Sequence, residues 1–97
     1  MKEIKYLKLF DLYSPLLTDN QKAIFEAYYC FDLSLSEIAA EKGVSRQSVA
    51  DALKKTRAEL DLIESKLVFS QKLSAISAFA ETLSEDKKNE LYSILEK

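Results

Sequence analysis

The side chains whose types and spacing suit a defined chemistry lie between Ser45 and Arg57. Four basic residues, Arg46, Lys54, Lys55 and Arg57, stand there against one acid, Asp51, in a chain whose formal net charge is −2. Wound as a helix with Val49, Ala52, Leu53 and Thr56 inward, the segment turns Gln47, Ala50, Asp51, Lys54 and Ala58 outward, with Arg46 and Arg57 at the edges of that arc. Such an arc suits the edges and backbone of a nucleic acid. A glutamine amide can pair with adenine, and arginine or lysine can hold guanine or phosphate. The candidate nucleic-acid-binding residues are therefore Ser45, Arg46, Gln47, Ala50, Lys54 and Arg57. Asp51 is the awkward member. A carboxylate in a groove is repelled unless it accepts from cytosine N4 or pairs with Lys54 or Lys55.

Other chemistries find less support. The chain has no histidine, which removes the common zinc sites and the usual Ser-His and Cys-His nucleophile pairs. Cys30 is the one cysteine, so no intramolecular disulfide can form, and a reducing compartment is expected. Between Tyr29 and Phe31 it reads as a small buried residue. Carboxylates are plentiful, but none is paired within an apolar stretch. No catalytic residue, metal ligand or cofactor is assigned, and an enzyme is not expected. No apolar run approaches the roughly 20 residues that span a bilayer, and MKEIKYLKLF lacks the continuous apolar core of a signal peptide. A cytoplasmic chain without membrane insertion is the expectation.

The arc needs elements to hold it, and LSLSEIAAEKGVSRQSVADALKKTRAEL, residues 33–60, supplies them. Ser34 and Glu37 form a capping box for a short helix that buries Ile38 and Ala39. Gly43, the only glycine, stands where that helix needs a left-handed residue to end. Val44 is expected to plug the corner, and Ser45 to cap the next helix by accepting from the amide of Gln47 or Ser48. The pattern is that of a helix-turn-helix offering its second helix to the major groove.

With 97 residues and one proline, the chain reads as a single all-α domain with a core over 17–60 and a helical extension over 61–97. A first helix over residues 3–13 places Ile4, Leu7, Phe10, Tyr6 and Tyr13 towards the core and Lys2, Lys5 and Lys8 towards solvent. Ser14-Pro15 ends it. Thr18 and Gln21 cap the next helix, whose Ile24, Phe25, Tyr28, Tyr29 and Phe31 are read as core rather than as a base-stacking platform. The motif's second helix is expected to run through Lys66 or further. Val49, Leu53, Thr56, Leu60, Ile63, Leu67 and Ser70 make a seam spaced by four and three. Either the last helices or a second copy should cover it, and a homodimer is favoured. Phe69, Leu73, Ile76, Phe79, Ala80 and Leu83 stripe a further helix, and Ser84 caps a short last one carrying Leu91, Ile94 and Leu95.

Residues 17–60 resemble region 4 of sigma-70 factors, and more closely the YlxM-like family of small bacterial helix-turn-helix proteins. The likeness is carried by Leu17-Thr18, Gln21, Tyr28-Tyr29, Asp32, Leu35, Glu37-Ile38-Ala39, Val44-Ser45-Arg46-Gln47, Val49 and Asp51. The earlier FDLYSPLLT fits the same family, so the likeness covers about the first two-thirds of the chain. The resemblance implies a sigma-region-4-like bundle followed by a long helix and a C-terminal helical extension. It also implies a regulatory protein contacting DNA, with RNA open as the other nucleic acid, and a connection to the signal recognition particle in protein targeting. The competing expectation is a protein–protein adaptor of the targeting machinery that keeps the fold without specific DNA binding.

Overall fold

Four of the α-helices among the described residues begin where a hydroxyl takes over an unpaired backbone amide. In the computed structural model, which describes residues 3–96, Thr18 accepts from the Gln21 amide at 3.1 Å and the Gln21 side chain accepts from the Thr18 amide at 2.9 Å. That reciprocal pair opens α2, Asp19–Phe25. Ser34 and Glu37 make the same box at 3.1 and 2.9 Å and open α3, Leu35–Lys42. The Glu37 carboxyl is held below its ordinary pKa by those bonds from the Ser34 amide and hydroxyl. Ser45 accepts from the Ser48 amide at 3.0 Å and opens α4, Arg46–Leu67. Ahead of them stands α1, Ile4–Tyr13, closed by a 3-10 turn on Pro15. The chain divides into two compact units, residues 1–67 and 68–97. The second holds α5, Phe69–Ala80, and α6, Glu85–Leu95, whose cap is Ser84 accepting from the Lys87 amide. No strand occurs among the described residues, and the fold class is all-α. Lys2 lies outside the described residues.

Gly43 ends α3 at φ 70° and ψ 34°, as the motif requires. The Val44 amide then reaches back to the Ala39 carbonyl at 3.0 Å. No atom lies within 4 Å of the place a Cβ would take at Gly43. Gly43→Val should therefore lose about 1–2 kcal/mol from backbone strain alone, while Gly43→Asn should lose less because asparagine visits this region readily. Urea denaturation of the two variants checks this. Equal stabilities would mean that the left-handed turn carries no cost.

Two apolar clusters fill the first unit. Tyr6, Leu9, Phe10 and Tyr13 of α1 meet Leu17, Phe25 and Leu60. Ile24, Ile38, Ala39, Val49 and Leu53 form the second, beneath the helix-turn-helix. Phe25 stacks on Phe10 and on Tyr29 with ring centroids 4.2 Å apart in each case. Polar contacts along the α1–α4 contact add to it. Tyr6 donates to Asp61 at 2.8 Å, Tyr13 donates to Glu64, and Lys5 pairs with Asp61 at 3.0 Å. Burial works against the Asp61 charge, but Lys5 and Tyr6 outweigh it and hold the carboxyl below its ordinary value.

These contacts correct the expected cover of the seam. Val49, Leu53, Thr56 and Leu60 are buried within the first unit, and α1 is what packs on Leu60. Neither the last helices nor a second copy is needed there. Thr56 is buried in the seam with its hydroxyl satisfied, donating to the Ala52 carbonyl at 2.8 Å. Past Ile63, which is half-buried, Leu67 is 38% exposed. Nor does α4 run on. Val68 takes φ 55°, a left-handed conformation that is an outlier for a β-branched residue, and breaks the helix with no glycine or proline present.

Four further side chains depart from the expectation. Ile4 lies on the solvent side of α1, and Val44 is 45% exposed and does not plug the corner. Phe31 is 67% exposed, and Cys30 beside it is exposed too. Cys30 lies off the Ile24–Phe25 face even at α-helical spacing, while for Phe31 the cause is the π-helical turn Glu26–Cys30 that follows α2. Its wider winding advances each residue less around the axis than an α-helix does. By Phe31, the side chains have left the face that an unbroken α-helix would have kept inward.

In the second unit Ala80 is buried, Ile76 and Leu83 are half-buried, and Phe69, Leu73 and Phe79 are exposed. Lys88 of α6 pairs with Glu81 at 2.9 Å.

Candidate nucleic-acid interface

The arc of α4 is held from both ends. Gly43 turns the chain, Ser45 fixes where the helix begins, and Val49, Leu53 and Thr56 anchor the inward face. With that face buried, helical geometry fixes which residues point out. Ser45, Arg46, Gln47 and Lys54 are all exposed, as are Asp51, Lys55 and Ala58. Ala50 is half-buried and sits at the edge of the arc rather than on it.

Arg57 is placed differently. It is half-buried, and its Nη1 donates to the Tyr29 hydroxyl of the π-helical turn at 3.3 Å. A guanidinium has five N–H donors, so this bond leaves others for a ligand while fixing where the group sits.

Asp51 has a partner that the sequence reading did not assign. The Gln47 Nε2 donates to Asp51 Oδ1 at 2.9 Å, one helical turn away, a partner outside the two alternatives of cytosine N4 and Lys54 or Lys55. The contact gives one oxygen of the Asp51 carboxylate a hydrogen-bond donor. It also orients the glutamine. One N–H of the amide is used, and its second N–H and its Oε1 stay available. Those two groups are the ones a bidentate contact to adenine N7 and N6 uses.

Beside the arc, an open groove of about 580 Å³ is lined by Asn20 and Gln21 of α2 and by Asp51, Ala52, Lys54, Lys55 and Ala58 of α4. Asn20 also accepts from Lys42 of α3 at 3.3 Å. Linear spacing did not single out Asn20 and Gln21, since they lie about thirty positions before the arc. The signal that could have found them is the Thr18–Gln21 box, which fixes the start of α2. Among the described residues no group of three or more His, Cys, Asp or Glu could hold a metal ion, and no helix is long and apolar enough to cross a membrane.

The sequence pattern of the UPF0122 family, described as helix-turn-helix, "YlxM / p13 like", matches residues 1–96. Among similar curated proteins are UPF0122 proteins of Bacillus thuringiensis (strain Al Hakam), Bacillus mycoides (strain KBAB4) and Bacillus cereus (strain AH187). Each is 53% identical over 64 residues, a stretch that is 66% of this chain and 58% of the relative.

Proposed function

Because this chain belongs to the UPF0122 family of YlxM/p13-like helix-turn-helix proteins, we propose that it is a regulatory protein that contacts nucleic acid through the outward arc of α4. The observation that supports this most is the exposed set Arg46, Gln47, Lys54 and Lys55 on one helix whose start is fixed by Gly43 and Ser45. Arg46 and Lys54 hold phosphate, and Gln47, oriented by Asp51, reads a base edge. The groove beside Lys54 and Lys55, with the side chains of Asn20 and Gln21 across it, gives a neighbouring strand a polar seat.

The preferred ligand is duplex DNA, since the recognition helix suits a major groove. In this reading the protein works in the cytoplasm in connection with the signal recognition particle, whose RNA is the first alternative ligand. A second copy would supply a second recognition helix for a paired half-site, and the exposed Phe69, Leu73 and Phe79 of α5 are where it would join. The adaptor reading draws on Asp51 within the arc and on the acidic balance of the chain.

Fluorescence anisotropy with labelled duplexes and structured RNAs tests the proposal. Binding should weaken as salt rises, because phosphate contacts release counterions. Arg46→Ala should weaken all sequences alike and flatten the salt dependence. Gln47→Ala should change the preference at one base position by about 1–3 kcal/mol. No binding to any duplex or structured RNA at low salt would transfer the function to the adaptor.

A further inference from the structure

A second groove lies away from the arc, with none of the candidate nucleic-acid-binding residues in its lining. It has a volume of about 480 Å³ and runs between α2 with its π-helical turn and α3. Ala23 and Ala27, one turn apart, keep one wall low, and Ile38 and Leu33 supply apolar surface beneath and beside them. Phe31 stands at its margin, 67% exposed. A single exposed aromatic is ordinary on a protein surface. This one lies against a concave apolar surface of a size that takes several side chains.

The rim has a sign. Glu26 and Glu41 line the groove from its two walls, and Asp32 follows Phe31. Its one cation, Lys42, is bonded to Asn20. Burial first and the nearby Glu26 charge second push the Cys30 thiol up. A nucleic acid is repelled by such a rim, and an acidic peptide likewise.

We propose that the groove between α2 and α3 is a docking site for a basic amphipathic protein helix, which inserts an apolar side chain against Phe31, Ala27 and Ile38 and sets lysines or arginines against Glu26 and Glu41. The apolar contact carries the affinity, and the charges select the partner and speed its approach. The site is independent of the α4 arc, so a protein partner and a nucleic acid can be held at once. This goes beyond the nucleic-acid reading and does not depend on it.

The test is a titration of the 15N-labelled full chain with a synthetic amphipathic peptide carrying leucines on one face and lysines on the other, followed by amide shifts. A peptide of the same composition with its apolar periodicity scrambled, and a twin with glutamate for every lysine, are run beside it. Shifts should cluster at Ala23, Ala27, Phe31, Leu33 and Ile38 and spare Gln47 and Lys54. Phe31→Ala should weaken binding about tenfold, the loss of one well-packed aromatic anchor. Glu26→Gln with Glu41→Gln should weaken it and remove most of its salt dependence. All three substituted positions are exposed or half-exposed, and an unchanged amide spectrum outside the groove shows that each of the two variants is folded. The proposal is overturned by absence of binding, by equal binding of the scrambled peptide or the acidic twin, by shifts centred on α4, or by variants that bind like wild type.

Discussion

Phe25→Ala should cost about 3–5 kcal/mol, the range for removing a fully buried phenylalanine. The ring is 0% exposed and lies between Phe10 of α1 and Tyr29 of the π-helical turn. It therefore joins α1 to the part of the chain that leads into the helix-turn-helix. Truncation leaves a cavity that stacked rings on both sides cannot refill without moving helices. A small domain has only about 5–15 kcal/mol in total, so the variant should lose a large share of its stability. Phe31→Ala, six positions on, should stay within about 0.5 kcal/mol, as exposed substitutions do. Urea denaturation followed by circular dichroism compares the two. Similar midpoints would show that the π-helical turn does not divide the aromatic run into a buried and an exposed part.

The second large effect separates two leucines of one seam. Leu60 is 0% exposed beneath α1, whereas Leu67, two turns on, is 38% exposed. Leu60→Glu places an unpaired carboxylate among Tyr6, Phe10 and Phe25 and should cost about 4 kcal/mol or more, at the far end of single substitutions. Leu67→Glu should leave the fold intact. If both variants stay folded and both lower the molar mass in light scattering behind a sizing column, Leu60 lies at an interface between copies rather than inside the unit. An unfolded Leu60→Glu beside a folded Leu67→Glu is the expected pair.

What was legible in the sequence is what local chemistry decides. Two capping boxes, the Ser45 and Ser84 caps and the Gly43 turn fell where expected, because each is set by residues within a few positions of one another. The inward face of α4 was legible for the same reason. The cover of Leu60 was not, because an apolar stripe shows that something packs on it but not which element does. The π-helical turn was invisible too. Nothing in EAYYC marks a widened helix, so Phe31 was carried inward by a periodicity that had already lapsed, and Cys30 by its place between Tyr29 and Phe31. The break at Val68 had no marker of its own, since valine is a poor choice for a left-handed residue. At the candidate interface, the types and exposure of Arg46, Gln47 and Lys54 followed from helical phase. The Gln47–Asp51 and Arg57–Tyr29 bonds depend on rotamers and on a distant element, which spacing does not specify.

Whether α4 is the face that meets nucleic acid is tested most directly by titrating the 15N-labelled protein with a mixed-sequence DNA duplex at low salt and following the backbone and glutamine side-chain amides. The arc predicts shifts concentrated from Ser45 to Lys54, with the Gln47 side-chain amide among the most affected and all of them reversed by added salt. A duplex that leaves those signals in place, or shifts centred on α1 or α6 instead, would contradict it.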